Sequence, residues 1–151
     1  MTRLAPNLMP VVVALEDSNE DFDTMQEAIR KSGLAAELRR VTTGDACIQI
    51  LYAQCCEPVR PALVLLDLNT PGTDGRETLE LIKSDPALKD LVNVVLTTSA
   101  NPKDLAFCYE IGANAYHVRP LRYTEHFGVL LDVFNYWLTR VALPQRRRLI
   151  S

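Results

Sequence analysis

Asp67 closes a wholly apolar run, Ala62-Leu63-Val64-Leu65-Leu66, and opens the turn Asp67-Leu68-Asn69-Thr70-Pro71-Gly72-Thr73-Asp74-Gly75. A run of strand length that is apolar on every side is the pattern of a strand buried in a parallel sheet. A carboxylate at its C-terminal end stands where open α/β sheets place their ligands. A second acidic pair, Glu16-Asp17, closes another apolar run, Pro10 to Leu15. If the two runs are neighbouring strands, three carboxylates converge at one sheet edge. Like charges so close repel, and a cation joining them relieves the repulsion. Oxygen-only donors point to a hard divalent metal.

The elements that must position these carboxylates alternate, strand then helix, five times. The first strand is expected at about 9–15. Ser18 caps the first helix, with Asp21 three residues on as a capping box. Phe22, Met25 and Ile29 form its apolar stripe, and Gly33 ends it. A second strand follows at about 36–41. Thr42 or Thr43 caps a helix that carries Ile50 and Leu51 and fades near Glu57-Pro58. The third strand is 62–66. The third helix follows Asp74-Gly75, turns Leu79 and Ile82 inward and stops before Pro86. The fourth strand is 92–96. Asn101-Pro102 is an N-cap with proline at the first helical position, and this helix runs to Gly112. A short fifth strand, 115–118, precedes a helix over about 124–141 that ends before Pro144.

Five such units imply an α/β fold with a parallel sheet covered on both faces, and right-handed crossovers prune its topologies. In the flavodoxin-like (βα)5 doubly wound sheet, strand order 2-1-3-4-5, strands one and three are neighbours. That order brings Glu16, Asp17 and Asp67 together, so topology and carboxylates support each other. The core unit is expected to span 9–142, with 1–8 and 143–151 as terminal extensions.

Composition narrows the classes. The 151 residues suit one domain, with 48% hydrophobic and 23% charged residues. A net charge of −3 makes no global field for nucleic acid. No apolar run has membrane-spanning length, and the first ten residues lack the pattern of a secretory signal. Cys47, Cys55, Cys56 and Cys108 show no metal-ligand spacing and suit reduced thiols in a cytoplasmic protein. His117 and His126 suit surface or packing roles, and Arg146-Arg147-Arg148 a solvated tail.

These residues together resemble the response-regulator receiver domain, the phosphoacceptor half of two-component signalling, over about 10–141. The acidic pair is Glu16-Asp17, the phosphoacceptor-like residue Asp67, the hydroxyl position Thr97, the switch aromatic Tyr116, and the basic residue before proline Arg119. The resemblance implies phosphorylation of Asp67, acting as carboxylate nucleophile. It implies Mg²⁺ held by Asp17 and Asp67, by Glu16 directly or through water, and by the Asn69 backbone carbonyl. Thr97 and Arg119 are then expected to contact phosphoryl oxygens, and Arg119-Pro120 to be cis. Taken singly, these residues have plainer explanations: a turn or cap aspartate, a helix-terminus acidic pair, a polar loop, an X-Pro turn. Tyr116 suits a half-buried strand aromatic equally well. Their meeting at one sheet edge favours the phosphoacceptor site.

The family's usual lysine is here Arg119, which is longer, planar and forked. Thr70 replaces its usual methionine, and Thr98, bulkier than its common alanine, is expected to narrow access to the phosphate. Thr97-Thr98-Ser99, Gly112-Ala113-Asn114-Ala115-Tyr116 and Asn135-Tyr136-Trp137 resemble regulators paired with bacterial phytochromes. A sensor histidine kinase, of the bacteriophytochrome kind, is the implied donor. With about ten residues after the last helix, the chain is expected to act alone, by protein contact, rather than as an enzyme.

On the last helix, Phe127, Leu130, Leu131, Phe134, Leu138 and Val141 make a core stripe. Val129, Val133, Tyr136 and Trp137 fall outside it and suggest a homodimer through helix four, strand five, helix five and the C-terminal tail. Two other functions fit parts of the pattern. A degenerate receiver would bind partners without phosphorylation. A haloacid-dehalogenase-like phosphatase would need a second aspartate where Asn69 stands.

Overall fold

The computed structural model describes residues 9–144. The expectations for the two ends, the C-terminal tail and Arg146-Arg147-Arg148 included, fall at or outside its limits. Five strands, β1 (Val11–Leu15), β2 (Glu37–Val41), β3 (Pro61–Leu66), β4 (Asn93–Thr97) and β5 (Ala115–Val118), alternate with helices. The helices are α1 (Asn19–Ser32), α2 (Gly44–Cys55), α3 (Gly75–Ser84), α4 (Pro102–Ile111) and α5 (Tyr123–Asn135). The sheet is parallel, in the order β2-β1-β3-β4-β5. That is the expected flavodoxin-like arrangement. Its central strands β1, β3 and β4 are buried at every position, because helices cover both faces.

The faces have separate cores. Val13, Leu15, Val64, Leu66 and Val95 pack with Leu51, Leu79, Ile82 and Cys108. Val12, Ala14, Leu63, Leu65 and Val94 pack with Met25, Ile29, Leu130, Val133 and Phe134. The alternation of each strand's residues between the two cores is the period of two that a pleated strand imposes. Burying one such Leu or Val side chain is worth about 1.5–3 kcal/mol.

Caps set the helix starts. The side chains of Ser18, Thr43, Asp74 and Asn101 each accept a backbone N–H from the first turn that follows. Gly33 ends α1 at φ 73°, a left-handed value that costs glycine little. The expected capping box is only half made. Ser18 Oγ accepts from Asp21 N–H, while Ser18 N–H donates to Glu16 and the Asp21 carboxylate turns away to Arg119.

Two expectations for the last helix change. The helix does not run on as α-helix to 141; Tyr136–Arg140 form a π-helical turn. There the Thr139 hydroxyl donates to the Asn135 carbonyl, competing for the acceptor that an α-helical backbone would use. Val133 is not surplus surface. It is 2% exposed, in the core with Leu130 and Phe134, because α1 as well as the sheet packs on α5. Val129 and Trp137 lie half-buried against the same core, and Tyr136 alone of the four is exposed.

Candidate functional site

The ladder that aligns β1 with its neighbours continues past the strand ends. Glu16 N–H donates to Val41 O at 3.0 Å, and Asp67 N–H to Leu15 O at 3.3 Å. The first ties the end of β1 to β2, and the second places the residues after β1 and β3 side by side. Glu16, Asp17 and Asp67 can thus each offer an oxygen within 4.8 Å of the others. Glu16 is buried, Asp67 half-buried and Asp17 exposed.

The electrostatics are those of a crowded acidic pocket. Burial pushes the Glu16 carboxyl up to about 7; the Ser18 N–H opposes this, and Asp67, Asp21 and Asp17 add to it. Asp67 is raised too, by burial first, against the Asn69 N–H, with Asp17 and Asp21 raising it further and Arg119 lowering it. Carboxylates whose repulsion is unrelieved by protein cations, with oxygen donors only, fit a hard divalent ion. Arg119 is the nearby exception. Its guanidinium pairs with Asp21, Nη1 to Oδ2 at 2.7 Å and Nη2 to Oδ1 at 2.5 Å.

The turn after Asp67 folds back on that residue. Asn69 N–H donates to Asp67 Oδ1 at 3.0 Å. Pro71 and Gly72 occupy the centre of a turn closed by Thr73 N–H to Thr70 O at 3.0 Å. Gly72 has φ 75°, as the third residue of a type II turn requires. Gly75 then passes directly behind Asp67. A Cβ built there would stand 2.4 Å from Asp67 O and 2.7 Å from Leu68 Cα. Sequence reasoning took Gly75 only as the start of a helix; its turn setting signals flexibility, not this close approach. Gly75→Ala is expected to destabilise the fold by about 1–3 kcal/mol, or more, through backbone overpacking, and to displace Asp67. Chemical denaturation with and without a divalent cation checks both effects.

Thr97, at the end of β4, is 1% exposed, and its hydroxyl accepts from Ser99 N–H at 3.2 Å and Asn69 Nδ2 at 3.5 Å. Tyr116 is half-buried on β5; its hydroxyl donates to Ser99 O at 2.9 Å. Ser99 Oγ donates to Asp104, which Arg76 of α3 grips with Nε and Nη2 at 2.6 and 2.8 Å. Those bonds hold the Asp104 carboxyl down at about 2. The loop after β4 is thereby tied to Tyr116 on one side and α3 on the other.

One expected feature takes another form. No peptide bond among the described residues is cis, so Arg119-Pro120 is trans. The tertiary amide's own preference is for trans by about 0.5–1 kcal/mol. Arg119 N–H also bonds Thr97 O at 2.7 Å, extending the β4–β5 ladder. Of the two roles open to His126, the structure shows packing: it is buried at 4% exposure, with both ring nitrogens unpartnered. Burial, then Arg119, lowers its pKa, which Asp21 partly offsets. Thr70 is buried at 3% exposure with its hydroxyl unpartnered, in the turn beside Asp67.

A five-stranded 2-1-3-4-5 sheet with an acidic triad at the ends of β1 and β3 is the framework of a signalling receiver. Residues 12–126 match the family model of the response regulator receiver domain. The chain belongs to that family and is a response regulator of two-component signalling. It is 38% identical to the response regulator Rcp1 of Synechocystis over 136 residues, which are 89% of this chain and 92% of that protein. The crystal structure of the phosphorylated cyanobacterial phytochrome response regulator RcpA superposes with a TM-score of 0.84 at 34% identity, covering 91% of this chain and all of that one. The Mn²⁺-bound form of Rcp1 superposes with a TM-score of 0.82 at 38% identity, covering 89% of this chain and 99% of that one. Family and fold leave the dehalogenase-like alternative without support.

Proposed function

We propose that residues 9–142 act as a metal-dependent phosphoacceptor switch, phosphorylated on Asp67 by a phytochrome-like sensor histidine kinase. The observation that carries this is the convergence of Glu16, Asp17 and Asp67 at the ends of neighbouring strands. Asp67 Oδ1 is oriented by the Asn69 N–H, while Oδ2 takes no hydrogen bond from the described residues and is left for attack. Mg²⁺ would be held by Asp17 and Asp67, by Glu16 directly or through water, and by the Asn69 carbonyl. Bound there, it supplies charge neutralisation, which is most of the catalysis in phosphoryl transfer. Thr97 would donate its hydroxyl to one phosphoryl oxygen. Arg119 would meet another, and to do so it must leave Asp21. Tyr116 would report the change through its bond to the Ser99 carbonyl.

The kinase class is supported by the similarity to the cyanobacterial phytochrome response regulator RcpA. A cytoplasmic setting is supported by four free cysteines. No helix among the described residues is long and apolar enough to cross a membrane. The test is incubation with acetyl phosphate and Mg²⁺, which should add one acid-labile phosphoryl group. A chain that takes none, with or without metal, would instead be a receiver that binds partners constitutively.

A homodimer through α4, β5 and α5 belongs to the same proposal, on different residues from those the sequence suggested. Leu105 and Tyr109 on α4, Val118 on the edge strand β5, and Leu121 and Tyr123 beyond it are all exposed. Soluble monomers avoid large apolar patches, and an edge strand needs cover. Light scattering at micromolar concentration should give a dimer, which Leu105→Glu with Val118→Glu dissociates. A monomer throughout, or a dimer indifferent to both changes, would place the interface elsewhere.

A further inference from the structure

We infer that Arg40, on the edge strand β2, is the positioning residue that presents the acidic loop to the metal. This rests on the metal-site reading above. Its guanidinium forks onto three oxygens of that loop. Nε donates to Glu16 O at 2.7 Å, Nη2 to Asp17 O at 2.5 Å and Nη1 to Asn19 Oδ1 at 2.6 Å. The guanidinium carbon lies 5.4 Å from the centre of the Phe22 ring, which holds the plane from α1. One side chain thus gathers strand β2, the loop after β1 and the first turns of α1.

All three acceptors are neutral: two backbone carbonyls and one amide. Arg40 therefore fixes the backbone of Glu16 and Asp17 while leaving their carboxylates free for a cation. Arg119, in contrast, spends its charge on the Asp21 carboxylate. Of the loop's other bonds, Glu16 N–H to Val41 O continues the sheet ladder, while Ser18 N–H to the Glu16 side chain and the bonds Ser18 accepts from Asp21 and Phe22 N–H are local. Only a planar group with N–H bonds in a fixed fork meets three separate oxygens in one plane; an ammonium does not.

Electrostatics and positioning make opposite forecasts, which is what makes Arg40 testable. A guanidinium beside a cation site repels the cation, so its charge alone predicts that removing it tightens Mg²⁺ binding. Loss of the fork loosens the donors and weakens binding. Changes to groups that orient metal ligands typically weaken affinity about 10–100-fold.

The experiment is Mg²⁺ titration of the full chain, followed by intrinsic fluorescence and calorimetry, beside thermal melting in excess chelator. Arg40→Ala and Arg40→Lys should each weaken Mg²⁺ by about 10-fold or more. The lysine variant should fail to rescue although it restores the charge. Asn19→Ala, which removes one acceptor and leaves the guanidinium, should weaken Mg²⁺ a few-fold with its chelator melting temperature near wild type. It keeps the inference testable should Arg40→Ala not fold. Wild-type or tighter Mg²⁺ affinity in Arg40→Lys and Asn19→Ala would overturn the inference. Asp17→Ala separates the two claims: if it binds Mg²⁺ as wild type does, the metal site itself is misplaced.

Discussion

Asp67→Asn is expected to abolish acid-labile phosphorylation by acetyl phosphate, a fall of at least about 10³-fold, or roughly 4 kcal/mol on the barrier. The substitution keeps the shape of the side chain and an oxygen for the Asn69 N–H, so the turn should hold. It replaces a carboxylate by an amide, which does not attack phosphorus. The neighbours are poorly suited to substitute. Glu16 is buried, and burial pushes its carboxyl up to about 7, which favours the neutral acid over a nucleophilic carboxylate. Asp17 is exposed, without the oriented turn that holds Asp67. Intact-protein mass spectrometry before and after mild acid or base reads the result. Labelling of Asp67→Asn at the wild-type rate would show the phosphoryl group sitting elsewhere.

Without metal, the protein should lose stability as pH rises through the neutral range, against the usual behaviour of carboxylates. Glu16 has a pKa of 4.5 when unperturbed and about 7 in the fold, with burial as the largest cause. Because the folded value is the higher, the native state holds the proton more tightly between those limits. Stability is therefore greatest below pH 4.5 for this group and declines until about pH 7. The decline is about 3 kcal/mol at most. Asp67, raised by burial and the same neighbours, acts in the same direction. In thermal terms the change is on the order of 10 °C for a domain of this size. Millimolar Mg²⁺ should cancel it, since the ion favours the ionised forms, and Glu16→Gln should flatten the metal-free profile. A chelated protein equally stable at pH 5 and pH 8 would mean that the triad is better solvated than its burial implies.

The replacement of the family's lysine by Arg119 has a visible counterpart in the fold. A forked guanidinium meets the carboxylate of Asp21 with two bonds, which a single ammonium cannot match in geometry. Asp21 lies on α1 and Arg119 just after β5, 98 residues apart. Arg119 therefore bridges the acidic edge to the strand that carries Tyr116.

The sequence by itself determined the order of elements, the parallel sheet and the edge where the chemistry lies. Those follow from local signals: apolar runs of strand length, caps at Ser18, Thr43 and Asn101, Gly33 as a stop, and carboxylates placed one residue past β1 and β3. Crossover handedness did the rest, because it permits few ways to wind five such units. Helix phase was less secure. Val133 lies in the core, off the counted stripe, because α5 packs against α1 and the sheet together, which an apolar stripe counted against one surface cannot show. Polar pairings between distant segments were not legible at all. Arg40 lies 21–24 residues from its acceptors, and Arg119 lies further still from Asp21. Gly75 meets Asp67 only because the turn between them closes. Periodicity tells which side of an element faces the interior, since burial is a property of the single residue and its face. Which charge meets which oxygen is a property of two segments, and only the packed register of the sheet brings them within reach.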